Sequence, residues 1–317
     1  MDSRLKLLSH SSRCLLHTCP RKYQLTKVYP EAKRDATVHT EYGKAFGEGI
    51  QAILTGASYE EAILRAVMNW NIDLSEELPN KSIWLVITAI QRFKLLQANF
   101  SLGDYEVARF LTDKEEERFA TELSFCIVIP GKEGNYYERG YIDVVLRHKI
   151  TGSLLVVDVK TSGANYTNEA KYKNSGQGIG YSVIIDKIAP NVNQFDVMYF
   201  EYLTSSKKYT EHVFVVGVVQ RANWIRNLLL DIAAMERYDE YEDWPMYGES
   251  CASFGSACQF IDCCTMSTSA LTLGRYCTDD ALEYDGRKDL KRDKEFKKTE
   301  YDFVIKLEDL IANQLDR

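Results

Sequence analysis

With 317 residues, 45% of them hydrophobic, the chain can form one large domain or two modest ones around a sizeable core, which excludes global disorder. A net charge of −7 argues against a protein that coats nucleic acid non-specifically, but it allows a local basic groove beside an acidic metal site. No apolar run approaches the roughly 18 residues of a membrane span, and Met1 to His10 mixes charges with leucines. A membrane helix and a secretory leader are therefore not expected, and the chain reads as cytoplasmic, its eight cysteines not a disulfide framework.

In chain order, residues 1–30 predict a short amphipathic helix opened by Ser9, Ser11 or Ser12, followed by Cys19-Pro20-Arg21-Lys22-Tyr23. A seryl hydroxyl there accepts a backbone N–H that the first turn leaves unpaired. Residues 44–70 predict helix interrupted near Thr55-Gly56-Ala57. Residues 81–100 predict a further amphipathic helix, with Ile83, Val86, Ile87, Ile90, Phe93 and Leu96 at three- and four-residue spacing. The period then switches to two. Strands are expected at 119–129, 140–147 and 154–161, with a turn rich in Gly and Asn after the first. A helix follows near 176–186, residues 192–203 are unassigned, and 210–220 predicts another strand before a helix over 222–240. Residues 244–264 read as a loop with four cysteines, and 302–315 as a terminal helix. Most of the 20 tyrosines are expected in packing roles.

The chemistry concentrates in GYIDVVLRHKITGSLLVVDVKTSG, residues 140–163. Thr151-Gly152 signals a turn between two β-rich runs. A hairpin folded between Ile150 and Thr151 sets Asp143 opposite Asp158, and Lys160, two residues on, shares their face. Like charges opposed across a strand pair are destabilising; a divalent cation between them reverses that sign. A cation so held could bind a phosphate and acidify an attacking water, and Lys160 could orient that water, which implies phosphodiester hydrolysis. Taken alone, a D-x-K triplet is better read as a solvated Asp–Lys pair; the surrounding residues change that.

With its surroundings, the hairpin resembles the PD-(D/E)xK nucleases, particularly the RecB-like and Cas4-like exonuclease branch and its phage relatives, over roughly residues 9–264. The resemblance implies an α/β fold: a restriction-endonuclease-like mixed central sheet flanked by helices, with an N-terminal helical part and a Cys-containing C-terminal segment. The expected division is a helical region at 1–110, a nuclease core at 111–240, and a Cys-rich segment packing back on the N-terminus, with a charged tail, at 241–317. By resemblance, Asp143, Asp158 and the backbone carbonyl of Val159 hold Mg²⁺ or Mn²⁺, and Lys160 assists the water. QGIGY (177–181) matches a QxxxY motif, which adds Gln177 and Tyr181. Glu122, in Thr121-Glu122-Leu123, stands where the family often has an acid, to support a second metal or orient Lys160. The stretch 42–51 resembles a helix that often supplies a metal-binding His. No His is present here, and Glu48 or Gln51 is the candidate at that place.

The same resemblance implies a [4Fe–4S] cluster on Cys19, Cys251, Cys258 and Cys264, with Cys263 an adjacent alternative. Four cysteines also suit zinc, or stay metal-free. Cys14, Cys126 and Cys277 read as packing residues. Candidate phosphate contacts are Arg21, Lys22, Lys171 and Lys173, and Tyr166, Tyr172 and Tyr181 are candidates for base stacking. The basic run at 287–298 reads as a solvated helix in preference to a DNA-binding arm. The function implied is a Mg²⁺- or Mn²⁺-dependent DNA exonuclease of recombination, repair or phage replication, acting on DNA ends with recombination or replication proteins. A structure-selective endonuclease and a non-catalytic DNA-binding subunit are the alternatives.

Overall fold

The computed structural model describes residues 1, 3–28, 37–71, 77–96, 100–189, 194–253, 256–262, 264–266 and 301–314. Its helices are α1 (His10–Thr18), α2 (Pro20–Val28), α3 (Val38–Leu54), α4 (Tyr59–Met68), α5 (Ile83–Leu96), α6 (Ala170–Lys173), α7 (Gly176–Ile188), α8 (Val218–Glu240) and α9 (Leu307–Gln314). Its strands are β1 (Leu7–Leu8), β2 (Tyr105–Val107), β3 (Arg109–Leu111), β4 (Glu117–Phe119), β5 (Thr121–Gly131), β6 (Gly134–His148), β7 (Leu154–Ser162), β8 (Gln194–Leu203), β9 (Lys208–Gly217), β10 (Ala252–Ser253), β11 (Ser256–Ala257) and β12 (Phe303–Lys306). This is the expected α/β fold, a mixed central sheet with helices on its flanks. No helix among the described residues is long and apolar enough to cross a membrane.

Local chemistry sets several boundaries. Ser9, Thr37 and Ser58 open α1, α3 and α4 through reciprocal capping boxes with Ser12, Thr40 and Glu61. Each box satisfies two backbone N–H groups. Gly56, at φ +90°, turns the chain out after α3, so the helical stretch over 44–70 becomes two helices.

The chain forms two compact units. One comprises Met1–Arg34, Cys126–Gly140 and Arg226–Leu307; the other comprises Asp35–Phe125, Tyr141–Ile225 and Glu308–Arg317. Strands β5 and β6 and helix α8 therefore contribute to both. In the first unit, β1 lies parallel to β6 with Leu7 beside Tyr137. Arg13 Nε and His17 Nε2 of α1 both reach the Asp231 carboxylate of α8, each at 2.7 Å.

In the second unit, β7 is central. It runs antiparallel to β6 and parallel to β8, and β9 returns antiparallel to β8. A strand buried on both faces reads as a continuous apolar run, which explains LLVV. Leu155, Val156 and Val157 are at most 2% exposed, each contributing roughly 1.5–3 kcal/mol. A parallel pair needs a crossover, and α6 and α7 provide it between β7 and β8. Phe46 of α3 and Phe93 of α5 pack ring on ring with Phe200, Tyr202 and Tyr209 of β8 and β9.

Some expectations change. The unassigned stretch 192–203 contains β8. The terminal stretch expected as helix begins as β12, because Phe303 and Ile305 alternate with exposed neighbours beside β5 before α9 starts. The Gly- and Asn-rich turn is tighter than expected, and β6 already begins at Gly134. Strands β2, β3 and β4 are too short to impose a period on the sequence. Cys263, Cys277 and the run at 287–298 lie outside the described residues.

Candidate active site

The hairpin has the register that its turn predicts: Val144 pairs with Val157, Val145 with Val156 and Leu146 with Leu155. One step further along, Asp143 and Asp158 come side by side. Asp143 Oδ2 accepts from the backbone N–H of Val159 at 2.9 Å, which ties that carboxylate across to β7.

Asp158 is fully buried, and its Oδ1 has no hydrogen-bond partner. Lys160 Nζ lies 2.6 Å from Asp158 Oδ2 and donates to Gln177 Oε1 at 3.1 Å. Gln177 Nε2 in turn donates to Tyr181 Oη at 2.7 Å, one turn along α7. Asp143, Asp158, Lys160, Gln177 and Tyr181 thus form one connected set. Burial raises the Asp143 and Asp158 carboxyls well above the ordinary range; the charge of Asp158 raises Asp143 further, while the Lys160 ammonium opposes both shifts. For Lys160, burial pulls downward, but the charges of Asp158 and Asp143 outweigh it and its pKa is raised. Carboxylates held in a dry site with too few donors are unfavourable for stability alone and favourable for capturing a cation.

Two features set α7 against the sheet. A methyl at Gly178 would come 2.7 Å from Tyr199 Oη, and one at Gly180 would come 2.8 Å from the Trp224 ring. The absent side chains allow close approach, and Gly178 N–H donates to Tyr199 Oη at 3.0 Å. Asp186 and Arg221, both fully buried, face each other at 3.9 Å between α7 and α8.

Glu122 sits at φ +48° inside β5, a backbone region that L residues rarely occupy and that costs about 1–3 kcal/mol. Its Oε1 accepts from Gln51 Nε2 at 2.7 Å. Burial raises its pKa despite that bond, and the charges of Glu48 and Asp158 raise it further. Gln51, of α3, therefore spends its amide N–H on Glu122, and half-buried Glu48 stands near the same carboxylate. Lys171 and Lys173 are exposed on α6.

Other placements differ from expectation. Arg21 is buried, and its guanidinium donates to the carbonyls of Cys264 and Met266 and to Gln24 Oε1. Three of its donors are thus engaged within the protein, which gives it a structural role. Lys22 is half-buried beside it. Tyr172 and Tyr181 are 4% and 7% exposed, too enclosed to stack on bases, whereas Tyr166 is 77% exposed. Cys14 is exposed rather than packed; Cys126 is buried. Tyr199, Glu201 and His212 were not anticipated. They share the face of Asp158 and Lys160, since Asp158 pairs with Tyr199, Lys160 with Glu201, and Tyr199 with His212. The spacing of two between Tyr199 and Glu201 is the signal that marks them.

Cys19 caps the end of α1, buried, with Lys22 N–H donating to its sulfur at 3.5 Å. Burial alone would raise its thiol, but backbone N–H groups of Tyr247 and Lys22 and the Ser250 side chain win, and its pKa is lowered. Burial raises the Cys264 thiol; Arg21 opposes this, and the negative forms of Cys19, Cys251 and Cys258 add to it, so the four sulfurs share one neighbourhood. Cys258 N–H donates to Cys251 O at 2.7 Å. Among the described residues, no three His, Cys, Asp or Glu side chains are already closed into a metal-ligating set. The fit of metals therefore rests on the donor chemistry. The unpartnered Asp158 Oδ1 suits a hard cation, and a lowered thiol beside three others suits a thiophilic one.

A family model of the PD-(D/E)XK nuclease superfamily matches residues 7–265. Among solved structures, an exonuclease candidate from Eubacterium rectale is 9% identical, with TM-score 0.48, covering 79% of this chain and 87% of its own. The protein SSO0001 is 13% identical, with TM-score 0.37, covering 80% and 84%. A comparison with curated proteins finds no match.

Proposed function

The chain belongs to the PD-(D/E)XK nuclease superfamily, and from that premise we propose that it is a Mg²⁺- or Mn²⁺-dependent deoxyribonuclease of the RecB-like, Cas4-like kind that degrades DNA from its ends. The observation that carries this reading is a fully buried Asp158 with an unpartnered oxygen, beside Asp143 and Lys160 on paired strands. Asp143, Asp158 and the Val159 carbonyl are the groups that would hold the cation, with Glu122 next in reach. A divalent ion bound there neutralises phosphate charge and acidifies a water. Val159 N–H keeps Asp143 turned toward β7. Lys160 brings three donors on one ammonium; Gln177 and Asp158 hold it in place, so it can orient the water or meet charge growing on the phosphate. Tyr181 fixes Gln177 from behind.

The cysteine neighbourhood supports a [4Fe–4S] cluster on Cys19, Cys251, Cys258 and Cys264 as a structural clasp. Protein purified without oxygen should be brown and carry about four irons per chain. One zinc per chain would replace that assignment, and no bound metal would remove it. Recombination, repair or phage replication is the setting in which such end-resection serves.

The test is cleavage of linear duplex, closed circular and single-stranded DNA with Mg²⁺, Mn²⁺ or EDTA. Linear substrates should be degraded, closed circles spared and EDTA should abolish the reaction. Cutting of closed circles would move the reading to an endonuclease. Tight binding without cleavage in any divalent metal would leave a DNA-binding subunit.

A further inference from the structure

Between β7 and α7 runs a segment, residues 163–175, in which Tyr172 is buried, Thr167 and Ser175 are half-buried, and every other side chain is exposed. Tyr172 and Thr167 are where it is fastened to the sheet. Tyr172 Oη donates to Glu201 Oε1 at 2.7 Å, and Thr167 Oγ1 shares a hydrogen bond with His212 Nε2 at 2.8 Å. His212 Nε2 also stands 3.6 Å from Glu201 Oε2, so both fasteners meet at one place on β8 and β9. Glu201 is 3% exposed and His212 8%. A carboxylate kept in the core is costly unless it holds something, and what Glu201 holds is this segment.

The fastening point is joined to the carboxylate centre. The Tyr172 ring stacks on Tyr199, with centroids 4.5 Å apart and planes 18° apart, and Tyr199 pairs in register with Asp158. On the segment itself, Lys171 Nζ lies 5.2 Å from the centroid of the Tyr172 ring, a cation–π distance. Moving Tyr172 therefore moves Lys171. Lys173 follows directly, on the same short helix.

We propose that Glu201, Tyr172 and His212 are positioning residues. They hold residues 163–175 as a fixed strap beside Asp158, so that Lys171 and Lys173 meet backbone phosphates flanking the one being cut. This rests on the nuclease reading and adds to it the part of the chain that grips the substrate. An unfastened segment would carry the same two charges but would pay to order them at each binding event.

The experiment is steady-state cleavage of linear duplex DNA with Mg²⁺ over a range of salt. Tyr172→Phe keeps the ring on Tyr199 and loses only the hydroxyl. It should raise KM about tenfold with kcat within about twofold, and Glu201→Ala should do the same. Glu201→Gln, which keeps an oxygen for Tyr172, should recover most of the loss. Lys171→Ala with Lys173→Ala should raise KM and flatten the salt dependence by about two units of slope. Adding Tyr172→Phe to that pair should change nothing more, because the hydroxyl acts through the lysines. The proposal is overturned if Tyr172→Phe leaves KM unchanged, if its effect adds in full to that of the lysine pair, or if kcat falls instead. If the wild type cleaves no DNA, the nuclease reading fails on its own account. The same variants are then read by fluorescence anisotropy on that DNA: weaker binding in Tyr172→Phe supports the strap, and unchanged binding overturns it.

Discussion

The carboxylate–lysine centre and the cysteine neighbourhood each gather a few reactive side chains, but from very different distances along the chain. Asp143, Asp158, Lys160, Gln177 and Tyr181 come from one hairpin and the helix after it. Cys19 meets Cys251, Cys258 and Cys264 across most of the sequence, through backbone contacts such as Arg21 N–H to Pro245 O at 3.0 Å. The first set depends on strand register. The second depends on closing a long loop, which is where a cross-link such as the proposed cluster would contribute most to stability. Losses at the first should fall on activity, and losses at the second on stability.

The sharpest way to break that contrast is Asp158→Asn. It should lower cleavage on the order of 10³-fold, as should Lys160→Ala. It should also change the melting temperature little, because removing a buried charge with an unpartnered oxygen offsets the ion pair that Lys160 loses, and Lys160 keeps its bond to Gln177. A large fall in melting temperature would mean that Asp158 is structural. Cys19→Ala should do the reverse: the iron of the proposed cluster is lost and stability falls by about 4 kcal/mol, as for a lost cross-link closing a long loop. Cys14→Ala, at an exposed position, should change neither. Urea unfolding with iron assay separates the two.

Two smaller effects sharpen the comparison. Glu138, 2% exposed on β6, has its carboxyl pushed up to about 7 by burial, with Arg13 opposing the shift. The folded protein holds this proton more tightly than the unfolded chain does. The resulting stability is complete below about pH 4.5 and is lost as pH rises through about 7. Glu138→Gln should therefore gain up to about 3 kcal/mol over wild type at about pH 8.5 and little at about pH 4.5. Urea titrations at both pH values measure this, and a pH-independent difference would mean that the side chain does not titrate as proposed. Gly178→Ala, which sets a methyl 2.7 Å from Tyr199 Oη, should cost about 1–3 kcal/mol. It should also slow cleavage, because α7 carries Gln177. Unchanged kcat would show that α7 has slack against the sheet.

The amino-acid sequence by itself determined the hairpin. Thr151-Gly152 sets the turn, the turn sets the register, and a side-chain period of two then sets Asp143, Asp158 and Lys160 on one face. The Gln177–Tyr181 pairing was equally legible, since residues four apart on a helix share a face. Tertiary structure alone decided what lies beside them. Glu201 and His212 reach this face only through the pairing of β8 with β7 and β9; the spacing of two between Tyr199 and Glu201 sets them on one face of β8 but does not say which strands lie beside it. Arg21 turned inward because carbonyls of Cys264 and Met266, distant in sequence, arrived to accept its donors. Local periodicity fixes which side of an element a residue occupies; the partner on that side depends on which strands and loops pack there, and that is settled by contacts between residues far apart in the chain.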